Sequence, residues 1–123
     1  MISLYGHGFI GKTFKNLYKS EVEVQERDER VPRHNDILYM ISTTHNYHVH
    51  DQITLDVETN LRVLCETLDF CRSNDITFNF VSSWFVYGKG AHSPASEVQA
   101  CNPTGFYSIT KKCAEDLIIS FAQ

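Results

Sequence analysis

The first five residues, Met-Ile-Ser-Leu-Tyr, form a short apolar run that breaks off into the turn Gly6-His-Gly-Phe-Ile-Gly11. Beyond the glycines Phe9, Ile10, Phe14, Leu17 and Tyr18 recur at helical spacing. Strand, tight turn and helix in immediate succession constrain this chain more than any other feature, because a helix that starts on a strand end packs back across the sheet to which the strand belongs. The remaining sequence continues the alternation. Val22 and Val24 alternate with Glu23 and Gln25 and run into the charged stretch from Glu26 to Arg30, which predicts a polar edge strand. Residues 36–42 read as a continuous apolar run, Ile37 to Ile41 between Asp36 and Ser42, as in a parallel strand covered on both faces. Leu61, Leu64, Cys65, Leu68 and Cys71 predict a helix over 55–73, and 76–81 reads as another buried strand. Residues 87–105 hold Gly88, Gly90, Pro94, Pro103 and Gly105 in a long loop. A last helix starts at Phe106 and carries the stripe Ile109, Cys113, Leu117 and Phe121.

Alternating strands and helices predict an α/β domain with about four parallel strands and helices on both faces of the sheet. At 123 residues and 42% hydrophobic content the chain is long enough for one such domain, spanning 1–123, and too short for two. One connection is unusual: about a dozen residues, among them Val31-Pro32, separate the second strand from the third, enough to cross in extended form but not to form another helix and strand.

A net charge of −4 gives no electrostatic footprint for nucleic acid or for an anionic membrane surface. No apolar run approaches a membrane span and no secretory leader is visible, so a cytoplasmic protein is expected. Cys65, Cys71, Cys101 and Cys113 have no metal-finger spacing and read as free thiols acting as small apolar residues.

A GxGxxG pattern is meaningful when it closes a strand and opens a helix, as here. Gly6 permits the turn, Gly8 lets a pyrophosphate approach the backbone, and Gly11 lets the helix pack against the strand. The backbone N–H groups at Gly8, Phe9, Ile10 and Gly11 then face the phosphates at a helix N-terminus. The alternative is a glycine-rich turn with no ligand. An acidic residue about twenty positions on, Glu26 or Asp28, would hold a ribose hydroxyl, whereas Arg27 and Arg30 suit a 2′-phosphate. The cofactor is therefore NAD or NADP, with NAD slightly favoured.

Tyr107 and Lys111 stand one turn apart on one side of the last helix. A free tyrosine is a poor base at neutral pH, and a neighbouring ammonium favours its phenolate, so the pair can remove a proton from an alcohol. Ser83, just past a strand, is placed to hold the hydroxyl, since ligands of parallel sheets bind beyond the carboxyl ends of strands.

With these residues in order, the sequence resembles the extended short-chain dehydrogenase/reductase family, the NAD-dependent epimerases and dehydratases of nucleotide sugars. GHGFIG is similar to the family's nucleotide loop, and residues 36–43, ending in Ser42 and Thr43, to the strand and small residues lining the cofactor. Asn60 matches an asparagine of the next helix, and Val81-Ser-Ser-Trp-Phe-Val-Tyr-Gly88 the strand that delivers the catalytic Ser or Thr, here Ser83. Glu97, Pro103 and Tyr107-Ser-Ile-Thr-Lys111 followed by Ala114-Glu115 match the loop and helix of the active site. The resemblance implies a reduced Rossmann-like fold and a hydride mechanism. Tyr107 takes the proton of a sugar hydroxyl, Lys111 assists it and binds the nicotinamide ribose, and Ser83 orients the hydroxyl. It also implies a homodimer through helices 55–73 and 106–121.

Three departures stand out. Tyr5 occupies the first glycine position of the family's GxxGxxG, the unit between the second and fourth family strands is absent, and the chain stops at Gln123, before any substrate domain. Two functions of different class follow: an oxidoreductase domain acting on a nucleotide sugar, incomplete as it stands, or a non-catalytic dinucleotide-binding or structural module. The cluster His45, His48, His50 and Asp51 reads as a polar loop and not as a metal site, for want of a second ligand pair at recognisable spacing. His7 reads as solvent-facing. Trp84 reads as a packing residue, with a wall for a sugar ring as the alternative.

Overall fold

In a computed structural model, which describes residues 1–44, 51–72, 75–90 and 94–123, the N-terminal apolar run forms β1 (Ile2–Tyr5). β1 lies between β2 (Val22–Val24) and β3 (Asp36–Tyr39), and β4 (Thr77–Phe80) extends the sheet beyond β3. All three pairings are parallel, in the order β2-β1-β3-β4, with Leu4 opposite Val24 and Leu38. The chain divides into two compact units, Met1–Ser42 with Val63–Val81, and Thr43–Arg62 with Ser82–Gln123.

The first unit holds the sheet, α1 (Phe9–Leu17) and α3 (Val63–Cys71). Its core is Leu4, Tyr5, Val22, Ile37 and Tyr39 of the strands with Leu64, Leu68 and Cys71 of α3. The Tyr5 and Tyr39 rings stack at 5.8 Å and Tyr39 and Phe78 at 5.5 Å. The short connection foreseen between the second and third strands is residues 25–35, and it carries the chain from one side of β1 to the other. Crossing two strand spacings takes about 10 Å, well within the reach of an extended segment of this length. What such a segment lacks in core it makes up in polar fastening. Tyr5 Oη donates to the Arg30 carbonyl at 2.9 Å, and Arg30 Nε pairs with Glu66 of α3 at 3.0 Å. Arg33 bridges Glu23 and Glu29, His34 Nε2 meets Glu23 at 2.8 Å, and the His34 N–H donates to Ser3 Oγ.

β2 ends the sheet order on one side, as its alternating pattern predicts. β4 corrects the expectation of a buried strand: it ends the order on the other side, and Thr77 and Asn79 are exposed. On α1 the helical spacing is realised but the burial is not. Phe9 is 90% exposed, and the one buried residue is Gly11, because the helix makes its close approach where it has no side chain.

The second unit is helical: α2 (Leu55–Val57), a π-helical turn (Glu58–Arg62), a 3-10 turn (Trp84–Tyr87) and α4 (Phe106–Phe121). The helix expected over 55–73 is thus three successive segments, α2, the π turn and α3, and Ser73 lies outside the described residues. α4 turns inward a face other than its apolar stripe. Ser108, Thr110, Lys111 and Ala114 are buried, while Ile109 and Phe121 are exposed. The hydroxyls bury without penalty because Ser108 donates to the Thr104 carbonyl and Thr110 to the Phe106 carbonyl, each at 2.8 Å. Within the long loop, Gly88 and Asn102 form a parallel bridge.

All four cysteines are free, but Cys65 and Cys101 are exposed, so the apolar reading suits Cys71 best. No helix among the described residues is long and apolar enough to cross a membrane.

Candidate active site

The glycine turn is built by close approach. Gly6 has φ +101°, and a Cβ there would lie 2.7 Å from the Met40 carbonyl carbon; a Cβ on Gly11 would lie 2.1 Å from the Gly6 oxygen. Only glycine fits either position. Over Gly8, by contrast, nothing lies within 4 Å of where a Cβ would stand. Gly8 is the N-cap of α1, no side chain caps the helix, and its first turn holds no acidic residue. Uncapped N–H groups facing open space suit the phosphates of a dinucleotide. Phe9 and Ile10 are exposed, leaving the backbone as the useful part of both.

At the end of β2, Gln25 is 5% exposed and neither its amide nitrogen nor its carbonyl oxygen has a hydrogen-bond partner, while Glu26 beside it is exposed. A buried amide without partners is a place for a polar ligand group or water. These features fit a dinucleotide at the turn. Ser42 is half-buried in this unit.

In the second unit, Ser83 caps the 3-10 turn, its Oγ accepting from the Phe85 N–H at 3.3 Å. The Phe85 ring meets Tyr107 edge-on at 6.2 Å, which places the turn beside the first residues of α4. Tyr107 is half-buried; Lys111, one turn further, is 2% exposed. Burial pushes the Lys111 ammonium down to about 8, with the Glu115 carboxylate opposing. Trp84 is 51% exposed and lies edge-on to Tyr87, which corrects the expectation of a packing residue. Its exposure follows from the 3-10 turn, in which Val86 is the buried member.

Sequence reasoning missed the hydrogen-bond centre at Asn60. This side chain is buried in the π turn, accepts from the Thr43 N–H at 2.8 Å, and donates to Thr43 Oγ1 and Thr110 Oγ1 at 3.0 Å each. Thr43 in turn donates to Asp56. Thr110 stands between Tyr107 and Lys111, so the network fixes the turn that carries both. The signal available was the match of Asn60 to a helical asparagine, which gives no partner.

Among the described residues no cluster of His, Cys, Asp and Glu could hold a metal; His45, His48 and His50 lie outside them.

A parallel sheet whose first strand ends in a glycine turn at a helix N-terminus defines a Rossmann-like α/β protein. The chain belongs to the NAD dependent epimerase/dehydratase family, whose model matches residues 11–123. No curated protein matches it. Among solved structures it is similar to RMD from Pseudomonas aeruginosa complexed with NADPH, at TM-score 0.81 and 19% identity over 98% of this chain and 47% of that one. The UDP-glucose 4-epimerase of Thermus thermophilus in complex with NAD matches at TM-score 0.77 and 20% identity, over 100% of this chain and 51% of that one. The UDP-glucose 4-epimerase of Thermotoga maritima with UDP-glucose matches at 0.79 and 19%, over 98% and 50%. The chain spans about half the length of these structures.

Proposed function

We propose that residues 1–123 act as a dinucleotide-binding domain of a cytoplasmic oxidoreductase that works on a nucleotide sugar through Ser83, Tyr107 and Lys111. The observation that carries the reading is the pairing of a half-buried Tyr107 with a buried Lys111 one turn on, beside the turn capped by Ser83. Bound NAD or NADP supplies the hydride acceptor. Tyr107 takes the proton of the sugar hydroxyl on its phenolic oxygen, and Lys111 contributes the positive charge that a tyrosinate needs beside it. Ser83 already accepts a hydrogen bond on Oγ, so its hydroxyl proton is available to a substrate oxygen. The cofactor phosphates rest on the N–H groups of Gly8, Phe9, Ile10 and Gly11, with Glu26 at the ribose and Ser42 and Thr43 lining the cofactor; Tyr107 and Lys111 also contact it.

The family and the nucleotide-sugar complexes among its neighbours support this substrate class. A homodimer is supported by the apolar hollow lined by Val57, Leu61, Phe106, Ile109 and Cys113 on the helices expected to pair. The test is to incubate the protein with NAD or NADP and UDP-glucose and follow reduction of the nicotinamide by absorbance. Reduction that Tyr107→Phe abolishes supports the reading. Dinucleotide binding with neither reduction of the nicotinamide nor any change in the sugar, followed by NMR because epimerisation and dehydration return the hydride, assigns the non-catalytic role instead.

A further inference from the structure

α4 carries a carboxylate that the mechanism above does not use. Glu115 stands four residues after Lys111, on the same side of the helix and one turn on. Its Oε1 accepts a hydrogen bond from the hydroxyl of Ser82, the residue before Ser83. Its Oε2 lies 3.9 Å from Lys112 Nζ, whose closer partner is Asp116. Lys111 is 2% exposed, and a buried ammonium is stable only near compensating negative charge. On the elements packed against α4 in this unit the other ionisable groups are Asp56, which accepts from Thr43, Glu58 and Arg62, which pair with each other, and Tyr87, whose ring lies edge-on to Trp84. Glu115 stands one helical turn from Lys111, where a carboxylate favours the ammonium against burial.

We propose that Glu115 is a positioning residue: its bond to Ser82 fastens the segment carrying Ser83 to α4, and its carboxylate is the counter-charge that keeps Lys111 an ammonium. The consequence for turnover rests on the Ser83, Tyr107 and Lys111 reading; the pairing of charges does not. Burial alone drives Lys111 toward its neutral form, so removing the carboxylate lets the proton leave nearer neutrality.

The test is an NMR titration of the full chain with carbon-13-labelled lysine, the Lys111 signal assigned with Lys111→Arg. Glu115→Gln keeps an acceptor for Ser82 and removes the charge, and it lowers the Lys111 midpoint by about one pH unit. Ser82→Ala removes the bond and keeps the charge, and leaves the midpoint within about 0.3 pH unit. An unmoved midpoint in folded Glu115→Gln overturns the proposal. Should that variant not fold, the double variant Ser82→Ala with Glu115→Ala removes hydroxyl and carboxylate together, and its Lys111 midpoint falls in the same way; an unmoved midpoint there overturns the proposal. Neither measurement needs turnover, so a chain that binds no dinucleotide fails the functional reading and leaves this result intact. In an active enzyme, Glu115→Gln lowers kcat more than it raises KM and moves the alkaline limb of the rate profile to lower pH.

Discussion

The Tyr5 hydroxyl donates a 2.9 Å hydrogen bond to the Arg30 carbonyl, joining the end of β1 to the connection that carries the chain from β2 to β3. Two segments that look independent in the sequence meet in one contact. The Tyr5 ring is 1% exposed and stacks on Tyr39, so it also fills core that a glycine would leave empty. Tyr5→Phe removes only the hydrogen bond and lowers stability by about 1 kcal/mol. Tyr5→Gly lowers stability by more than about 3 kcal/mol, through the lost aromatic packing. Urea denaturation of the two variants checks both values.

The glycines of the turn separate by what they approach. Gly11→Ala drives a Cβ into the Gly6 carbonyl oxygen and destabilises the fold by about 2 kcal/mol or more. Gly8 has φ −82°, which alanine adopts, and open space above it, so Gly8→Ala keeps the wild-type melting temperature. Its methyl occupies the space assigned to the phosphates, and dinucleotide affinity falls about tenfold or more. Thermal melts together with calorimetry distinguish the two effects.

The order of strands and helices was legible because periods of two and near four residues show in apolar residues, and the glycines mark the turn between them. The burial of α4 was not, because its inner face is Ser108, Thr110 and Lys111, whose polar groups are satisfied by contacts that hydrophobicity does not register. The exposure of β4 follows from its place at the end of the sheet order, which its own residues, unlike the alternating ones of β2, did not signal. Of the candidate site, the spacing of Tyr107 and Lys111 was plain from the helix period. Asn60 was matched as a family position without a role, since its partners at Thr43 and Thr110 are distant in sequence.

Asn60 carries a prediction of its own. Asn60→Leu removes the acceptor for the Thr43 N–H and the donor to two hydroxyls, and costs about 2–4 kcal/mol. Asn60→Asp keeps the acceptor but buries a carboxylate, so the comparison is made in acid, where its carboxyl is neutral and its loss is the smaller. Denaturation of both variants that gave equal losses would contradict the network.

Lys111 makes the fold depend on pH. Its ammonium, held down to about 8 from the ordinary 10.5, is disfavoured in the folded chain. Below the folded value the native state carries the full penalty of the buried charge. Between the two values the unfolded chain binds more protons than the folded one, so stability rises with pH and the penalty is gone above 10.5. Lys111→Met therefore stabilises the protein by roughly 1–3 kcal/mol at neutral pH. The gain vanishes as the solution becomes strongly alkaline, and urea denaturation across that range follows it.

The central claim is that the glycine turn holds a nicotinamide dinucleotide. Calorimetric titration of the purified chain with NAD, NADH, NADP and NADPH tests it most directly. The account predicts saturable binding of at least one of them, tighter than about 1 mM, that Gly8→Ala weakens. Absence of binding by all four at millimolar concentrations, in protein that melts cooperatively, contradicts it.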